Sequence, residues 1–298
     1  MAASASLLKN SWEEFKKLLT QRWETYAWTV LLRFLLGAVL IAATYGLFSP
    51  LIHSLISSPD MLIKGDFHFE PLLSKLGILG LLALLVGLAG ALIQFGFLRV
   101  VLNPKAAQTV TSLISYGKQR YWSTLGITIV TAFLLVFMVG LGTLAFVLPG
   151  IFLGVMVVFA PFVVILDGKG PIESIKQSWA MVEGRWWSVF GTLLVWVILT
   201  GVVMMIVNGI IGILFHPFFD DRGFVQLQHS MNAAAASGNI DEALKLLPQL
   251  LEKVLNGKAL MVFAWQMLSQ VIVAIVPLYG FLAVYKVLKK MPKAKKRK

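Results

Sequence analysis

Apolar residues along this chain gather into runs long enough to cross a bilayer, and polar residues gather between them. Six runs stand out: 26–48, 76–102, 123–146, 147–166, 187–215 and 259–285. A spanning helix needs about 20 mostly apolar residues, and each run reaches or approaches that length. The pattern predicts an all-α integral membrane protein with six transmembrane helices. Between the third and fourth runs Pro149-Gly150 predicts a tight turn, because proline cannot continue a helix and glycine relaxes the backbone. Pro161 lies inside the fourth run, which leaves a re-entrant hairpin open beside a full crossing.

The segments before three of the runs follow a helical period instead. In 171–186, Ile172, Ile175, Trp179, Val182 and Trp186 recur at three- and four-residue steps, with Glu173, Lys176, Gln177 and Glu183 largely off that stripe. Residues 104–120 repeat it with Val110, Leu113, Ile114, Gly117 and Tyr121, and the N-terminus does so with Leu8, Trp12, Phe15, Leu19 and Trp23. Pro171 and Pro104 suit first-turn positions. Such stripes predict amphipathic helices lying in the headgroup layer, apolar side down.

Each amphipathic segment ends in a related junction: QRWETY (21–26), RYWSTLG (120–126) and RWWSVFG (185–191). LNPK (102–105) and LDGK (166–169) precede two of these segments at nearly equal distance, and GFLRV (96–100) is echoed by GFLAV (280–284). These correspondences predict a single membrane domain of three repeats, each a cytoplasmic amphipathic helix followed by a transmembrane hairpin. The repeats cover 1–102, 103–166 and 167–288, with an outer insertion at 216–258 and a basic tail at 289–298. Parallel repeats of this kind pack around an axis along the membrane normal. At the junctions Trp23, Arg120, Tyr121, Trp122, Trp179, Arg185, Trp186 and Trp187 are the expected interfacial anchors. Arginine snorkels to the phosphate level there, and the aromatic rings favour the headgroup layer.

Composition narrows the chemistry. With 58% hydrophobic and 13% charged residues, the chain is too apolar for an ordinary soluble domain. The absence of cysteine excludes disulfides, thiolate catalysis and cysteine-held metal clusters within the chain. The net charge of +12 reads as orientation charge. If the N-terminus is cytoplasmic, 20 of the 26 Lys/Arg but only six of the 14 Asp/Glu fall on that side, with seven of the nine tryptophans. N-in, C-in is the expected topology. The first run is too long for a signal-peptide core and is expected to be retained. In the outer insertion, Asn239 and Glu242 predict the cap of a helix over 236–257, with Ile240, Leu244, Leu247, Leu251 and Val254 as its stripe.

No Asp or Glu lies within a run, which argues against a proton relay or a carboxylate-lined cation site. Arg33 reads as an anchor. Gln94, Asn208, Gln266 and Gln270 are the candidate intramembrane polar contacts. Interhelical hydrogen bonds are the first expectation for them, each worth about 0.6 and at most nearly 2 kcal/mol. His53, His68, His216 and His229 lack the spacing of a metal motif. No nucleophile elbow, phosphate loop or paired-carboxylate signature appears. The expectation is a non-enzyme with no cofactor and no metal site. The tail KKMPKAKKRK (289–298) suits contact with anionic lipid.

One segment carries a family likeness. LPGIFLGVMVVFAPFVVILDGKGPIESIKQSWAMVEGRWWSVF (148–190) resembles the six-helix membrane domain that precedes some bacterial glycerophosphoryl diester phosphodiesterases, and its stand-alone uncharacterised relatives. The likeness rests on Pro149-Gly150, Ala160-Pro161-Phe162, Asp167, Pro171-Ile172, Ser178-Trp179 and Gly184 with Arg185-Trp186-Trp187. It implies a bacterial inner-membrane protein of that fold and names no catalytic residue; the phosphodiesterase barrel itself has no counterpart in these residues. The functional expectation is a protein that organises anionic lipid, or a membrane protein partner, at the cytoplasmic leaflet, without nucleic acid. A carrier for a small amphipathic solute or lipid is the rival, and the sequence leaves the oligomeric state open.

Overall fold

The computed structural model describes residues 2–57, 70–145, 147–219, 222–239 and 273–291, with isolated positions from 242 to 270. Among the described residues the regular structure is entirely helical. The helices are α1 (Ala2–Gln21), α2 (Trp23–Ser57), α3 (Glu70–Leu102), α4 (Val110–Lys118), α5 (Tyr121–Ala145) and α6 (Val147–Val157). A single turn α7 (Ala160–Phe162) runs into a π-helical turn (Val163–Asp167), followed by α8 (Pro171–Val182), α9 (Trp186–Phe219), α10 (Arg222–Ala236) and α11 (Ile275–Lys290).

Five stretches are long and apolar enough to cross a membrane: Trp23–Leu51, Leu72–Leu102, Tyr121–Leu144, Val147–Asp167 and Trp186–Ile210. The chain is a multi-pass membrane protein. The expected sixth run, 259–285, begins outside the described residues, and its later part is α11.

Local chemistry moves two expected boundaries. Pro149 and Gly150 lie inside the first turn of α6, not at the turn before it; a first-turn proline lacks only an N–H that has no intrahelical partner anyway. Pro104 does not open α4. Thr109 does, its Oγ accepting the Ser112 N–H at 3.2 Å, because a hydroxyl there satisfies an orphan donor of the first turn.

The fourth run is helical on both sides of an interruption. Pro161 has no N–H to continue the ladder, so α6 gives way at Val158-Phe159 to α7 and the π-helical turn. Gly168, at φ 65°, closes this segment by donating its N–H to the Val164 carbonyl.

The chain divides into two compact units. The first comprises Met1–Leu32, Ala91–Met205 and Ile272–Lys298. Its core holds Phe97, Phe159, Trp196, Tyr279, Leu282 and Tyr285, all fully buried or nearly so. Phe97 meets Tyr279 edge-on at 5.5 Å, and Phe15 meets Trp196 at 4.6 Å.

The amphipathic helices belong to this core. The first, α1, packs along α11 and buries Leu7, Ser11, Phe15 and Leu18, a face turned slightly from the expected stripe. Helix α4 lies so close to α3 that a Cβ on Gly96 would overlap the Leu113 carbonyl, and one on Gly117 the Leu92 carbonyl. Helix α8 packs on α6, α7 and the π-helical turn. It does so through Ser174, Ser178 and Val182, leaving Ile172 63% exposed. Ser178 Oγ donates to the Met156 carbonyl at 2.8 Å and accepts the Phe159 N–H at 3.2 Å. That hydroxyl therefore repairs the backbone where Pro161 breaks the run. Small residues admit such close approach where dispersion contacts hold helices together.

The second unit comprises Arg33–Gly90 and Ile206–Val271. In it Asn239 Oδ1 accepts the Glu242 N–H at 3.3 Å, and Asn239 Nδ2 donates to Glu242 Oε2 at 2.8 Å, which is the cap expected there. The apolar stripe expected beyond it lies outside the described residues.

A Cβ on Gly280 would sit 2.5 Å from the Trp196 ring, whereas one on Gly126 would meet nothing within 4 Å. Gly280→Val should therefore destabilise the detergent-purified protein by about 1–3 kcal/mol. Gly126→Val should leave thermal unfolding unchanged.

Candidate functional site: arginine junctions and a cationic groove

An arginine opens each of three long apolar helices. The carbonyls of Arg22, Arg120 and Arg185 accept the N–H groups of Tyr26 (3.3 Å), Thr124 (2.8 Å) and Val189 (3.1 Å), the first helical bonds of α2, α5 and α9. Their side chains then reach the residue or loop that follows the end of another helical run. Arg22, 9% exposed, donates to the carbonyls of Asn103 (2.7 Å) and Ala106 (2.9 Å), just beyond α3. Arg120, held at φ 50°, brings Nη1 beside Gly168, just beyond the π-helical turn. Arg185 Nη1 contacts Met291 Sδ at 3.2 Å, just beyond α11. Arg22 and Arg185 thus turn onto protein groups, Arg22 onto carbonyls beyond a helix C-terminus, which need donors, and Arg185 onto a thioether sulfur; of the three, Arg120 is the exposed one.

Sequence reasoning passed over Arg99, which makes the densest of these contacts. Its guanidinium donates to the carbonyls of Ile165 (3.2 Å), Tyr116 (2.9 Å) and Gln119 (2.5 Å) and to Thr124 Oγ1 (2.9 Å). It ties the ends of α4 and the π-helical turn to the start of α5. The available signal was the arginine that distinguishes GFLRV from GFLAV.

The expected aromatic anchors fall into two groups. Trp23, Trp122 and Trp187 are 59%, 71% and 77% exposed, and each stands in the first turn of an apolar helix. Trp179 and Trp186 are half-buried around Phe152, with Trp186 Nε1 donating to the Phe152 carbonyl at 3.3 Å. Tyr121 packs on Phe95 and edge-on to Trp122. Of the intramembrane candidates, Gln94 and Asn208 are half-buried and Gln270 is exposed. Gln266 lies outside the described residues.

A second missed residue, Asp167, organises a groove between α8 and α11. Its Oδ2 accepts from Gln177 Nε2 (3.0 Å) and from the Tyr285 hydroxyl (3.1 Å), and its Oδ1 pairs with Lys289 Nζ at 2.5 Å. Lys289 is thereby held over the Tyr285 ring, 5.7 Å from its centroid. The groove encloses about 650 Å³; Lys169, Lys176, Arg185 and Lys289 line it, with Glu173 the carboxylate among them and Met181 and Leu288 as apolar wall. Four cations face one rim carboxylate and the half-buried Asp167, an arrangement fitted to an anion with an apolar appendage.

The junctions at Arg120 and Arg185, Asp167, Gln177 and Tyr285 all fall within residues 110–287, more than half of the chain, which match the family model of DUF7847, a domain of unknown function. The chain belongs to the DUF7847 family. The DUF7847 match opens at Val110, the first residue of α4, and closes inside α11, two residues short of Lys289. No curated protein and no solved structure matches the chain.

Replacing Arg99 by methionine would strand three carbonyls inside the DUF7847 segment. Hydrogen bonds to a charged donor are worth about 1.5–3 kcal/mol each, so Arg99→Met should cost on the order of 3 kcal/mol in thermal or denaturant unfolding. Arg99→Lys should recover only part of that, since an ammonium lacks the planar fork that reaches four acceptors together.

Proposed function

We propose that this protein is a non-enzymatic membrane scaffold that gathers anionic lipid, or a membrane partner, at the cytoplasmic leaflet. The observation that carries this reading is the pairing at three junctions of an arginine with an outward tryptophan. The inner partners fix the chain, and Trp23, Trp122 and Trp187 remain free for the headgroup layer. Exposed tryptophan in the first turn of an apolar helix favours the interface, and lysines on the same segments favour anionic headgroups.

The same reading takes the chain as three repeats, six spans and both termini on the cytoplasmic side of a bacterial inner membrane. Packing supports the repeats. Helix α4 rests on α3, α8 rests on the run from α6 to the π-helical turn, and α1 rests on α11. Each amphipathic helix thus touches the return helix of the preceding hairpin, α8 packing equally on α5, and the first touches the last helix. Kinship with the membrane domain of the glycerophosphoryl diester phosphodiesterases belongs to this proposal too, since residues 148–190 fall within the matched segment. The carrier alternative requires a passage, and the fully buried Phe97, Phe159 and Tyr279 fill the interior of the first unit.

Two measurements test the reading. In native nanodiscs or mixed vesicles of phosphatidylcholine and phosphatidylglycerol, the co-purifying lipid should be enriched in phosphatidylglycerol over the bulk; bulk composition would count against it. Because the chain has no cysteine, single substitutions report topology directly. Lys16→Cys and Lys169→Cys should react with an impermeant maleimide from the cytoplasmic side and His229→Cys from the other. Labelling of all three from one side would overturn the topology.

A further inference from the structure

The groove between α8 and α11 has features that general surface basicity does not explain. Two of its cations are positioned from beneath: Lys289 by Asp167, which Tyr285 and Gln177 hold in turn, and Arg185 by its contact with Met291. The other two, Lys169 and Lys176, are exposed and have no ion-pair partner among the described residues. Fixed and free cations therefore face one cavity of about 650 Å³, within the range of small-molecule sites. Ala180, Met181, Leu288 and Met291 supply its apolar wall. The charge balance of four cations against Glu173 and Asp167 leaves two positive charges.

We propose that this groove is a discrete binding site for a phosphate ester, with Lys169 and Lys176 closing on the phosphate beside Arg185 and Lys289. Resting on the function proposed above, the inference names the place and chemistry of lipid recognition: the phosphate of an anionic glycerophospholipid among the cations, its glycerol and first methylenes along Met181 and Leu288. Asp167 does not oppose the ligand, because its charge is spent on Lys289 and its second oxygen on Tyr285 and Gln177. Its part is to hold Lys289 in place.

The test is a titration of the full-length, delipidated protein in neutral detergent, read by native mass spectrometry, with phosphatidylglycerol, with phosphatidylcholine and separately with glycerol 3-phosphate. Lys169→Gln/Lys176→Gln removes the two free cations. Lys9→Gln/Lys105→Gln removes equal charge at exposed sites outside the groove. At about 1 kcal/mol per lysine near a lipid phosphate, the groove variant should bind the first phosphatidylglycerol about tenfold or more weakly, and the control less than twofold.

Equal weakening by both pairs would overturn the discrete site while leaving the scaffold reading intact, since overall charge would then suffice. A wild-type protein with no preference for phosphatidylglycerol over phosphatidylcholine would remove both. If glycerol 3-phosphate binds as tightly as the lipid, with the same sensitivity to the groove pair, the phosphate site stands and its ligand is a soluble ester.

Discussion

A helix that ends against other helices leaves carbonyls that no further turn can satisfy. In this protein arginine supplies the missing donors. Arg22 holds the loop after α3, and Arg99 holds the ends of α4 and the π-helical turn. The planar fork suits the task because one side chain reaches several acceptors at once. These contacts tie down the approaches to α2 and α5, where Trp23 and Trp122 stand.

The second constraint is close approach. Gly96 and Gly117 let α4 lie against the backbone of α3, and Ser174 and Ser178 do the same for α8 over the interrupted fourth run. Ser178 has a double role, since it satisfies two backbone groups at the interruption just before Pro161. Helix α8 consequently has three sides rather than two: Ser174, Ser178 and Val182 pack into the core, Trp179 meets Phe152, and Lys176 faces the groove. The groove beside α11 lies on the lysine side, and the proposed lipid chemistry follows from that division.

The apolar runs, the amphipathic segments and the recurring junctions were legible in the sequence because each is a local pattern of period or composition. Physical necessity writes them into the chain: a bilayer requires about 20 apolar residues in succession, and its interface favours tryptophan and arginine. Thr109 in place of Pro104 as the start of α4, and the inclusion of Pro149 in α6, were decided by local capping chemistry too weak to read without the neighbouring turn. The buried faces were harder still. Ile172 heads the stripe expected to face the headgroup layer and is exposed, whereas the core face of α8 is made by Ser174 and Ser178, because the partner surface is an interrupted helix with free backbone groups.

Arg22, Arg99 and Asp167 mark the limit of sequence reasoning here. A basic residue at a membrane boundary is read as an anchor to lipid, and sequence alone cannot say whether it turns outward to phosphate or inward to a carbonyl. Asp167 meets Lys289 across more than a hundred residues, a contact that no local pattern records. By itself the sequence determined that this chain is helical and crosses a membrane more than once, because hydropathy and periodicity act within a few turns. Only the tertiary structure decided which cations are bound to the protein and which are left free in the groove, because helices distant in the chain must pack together before their unsatisfied groups can meet.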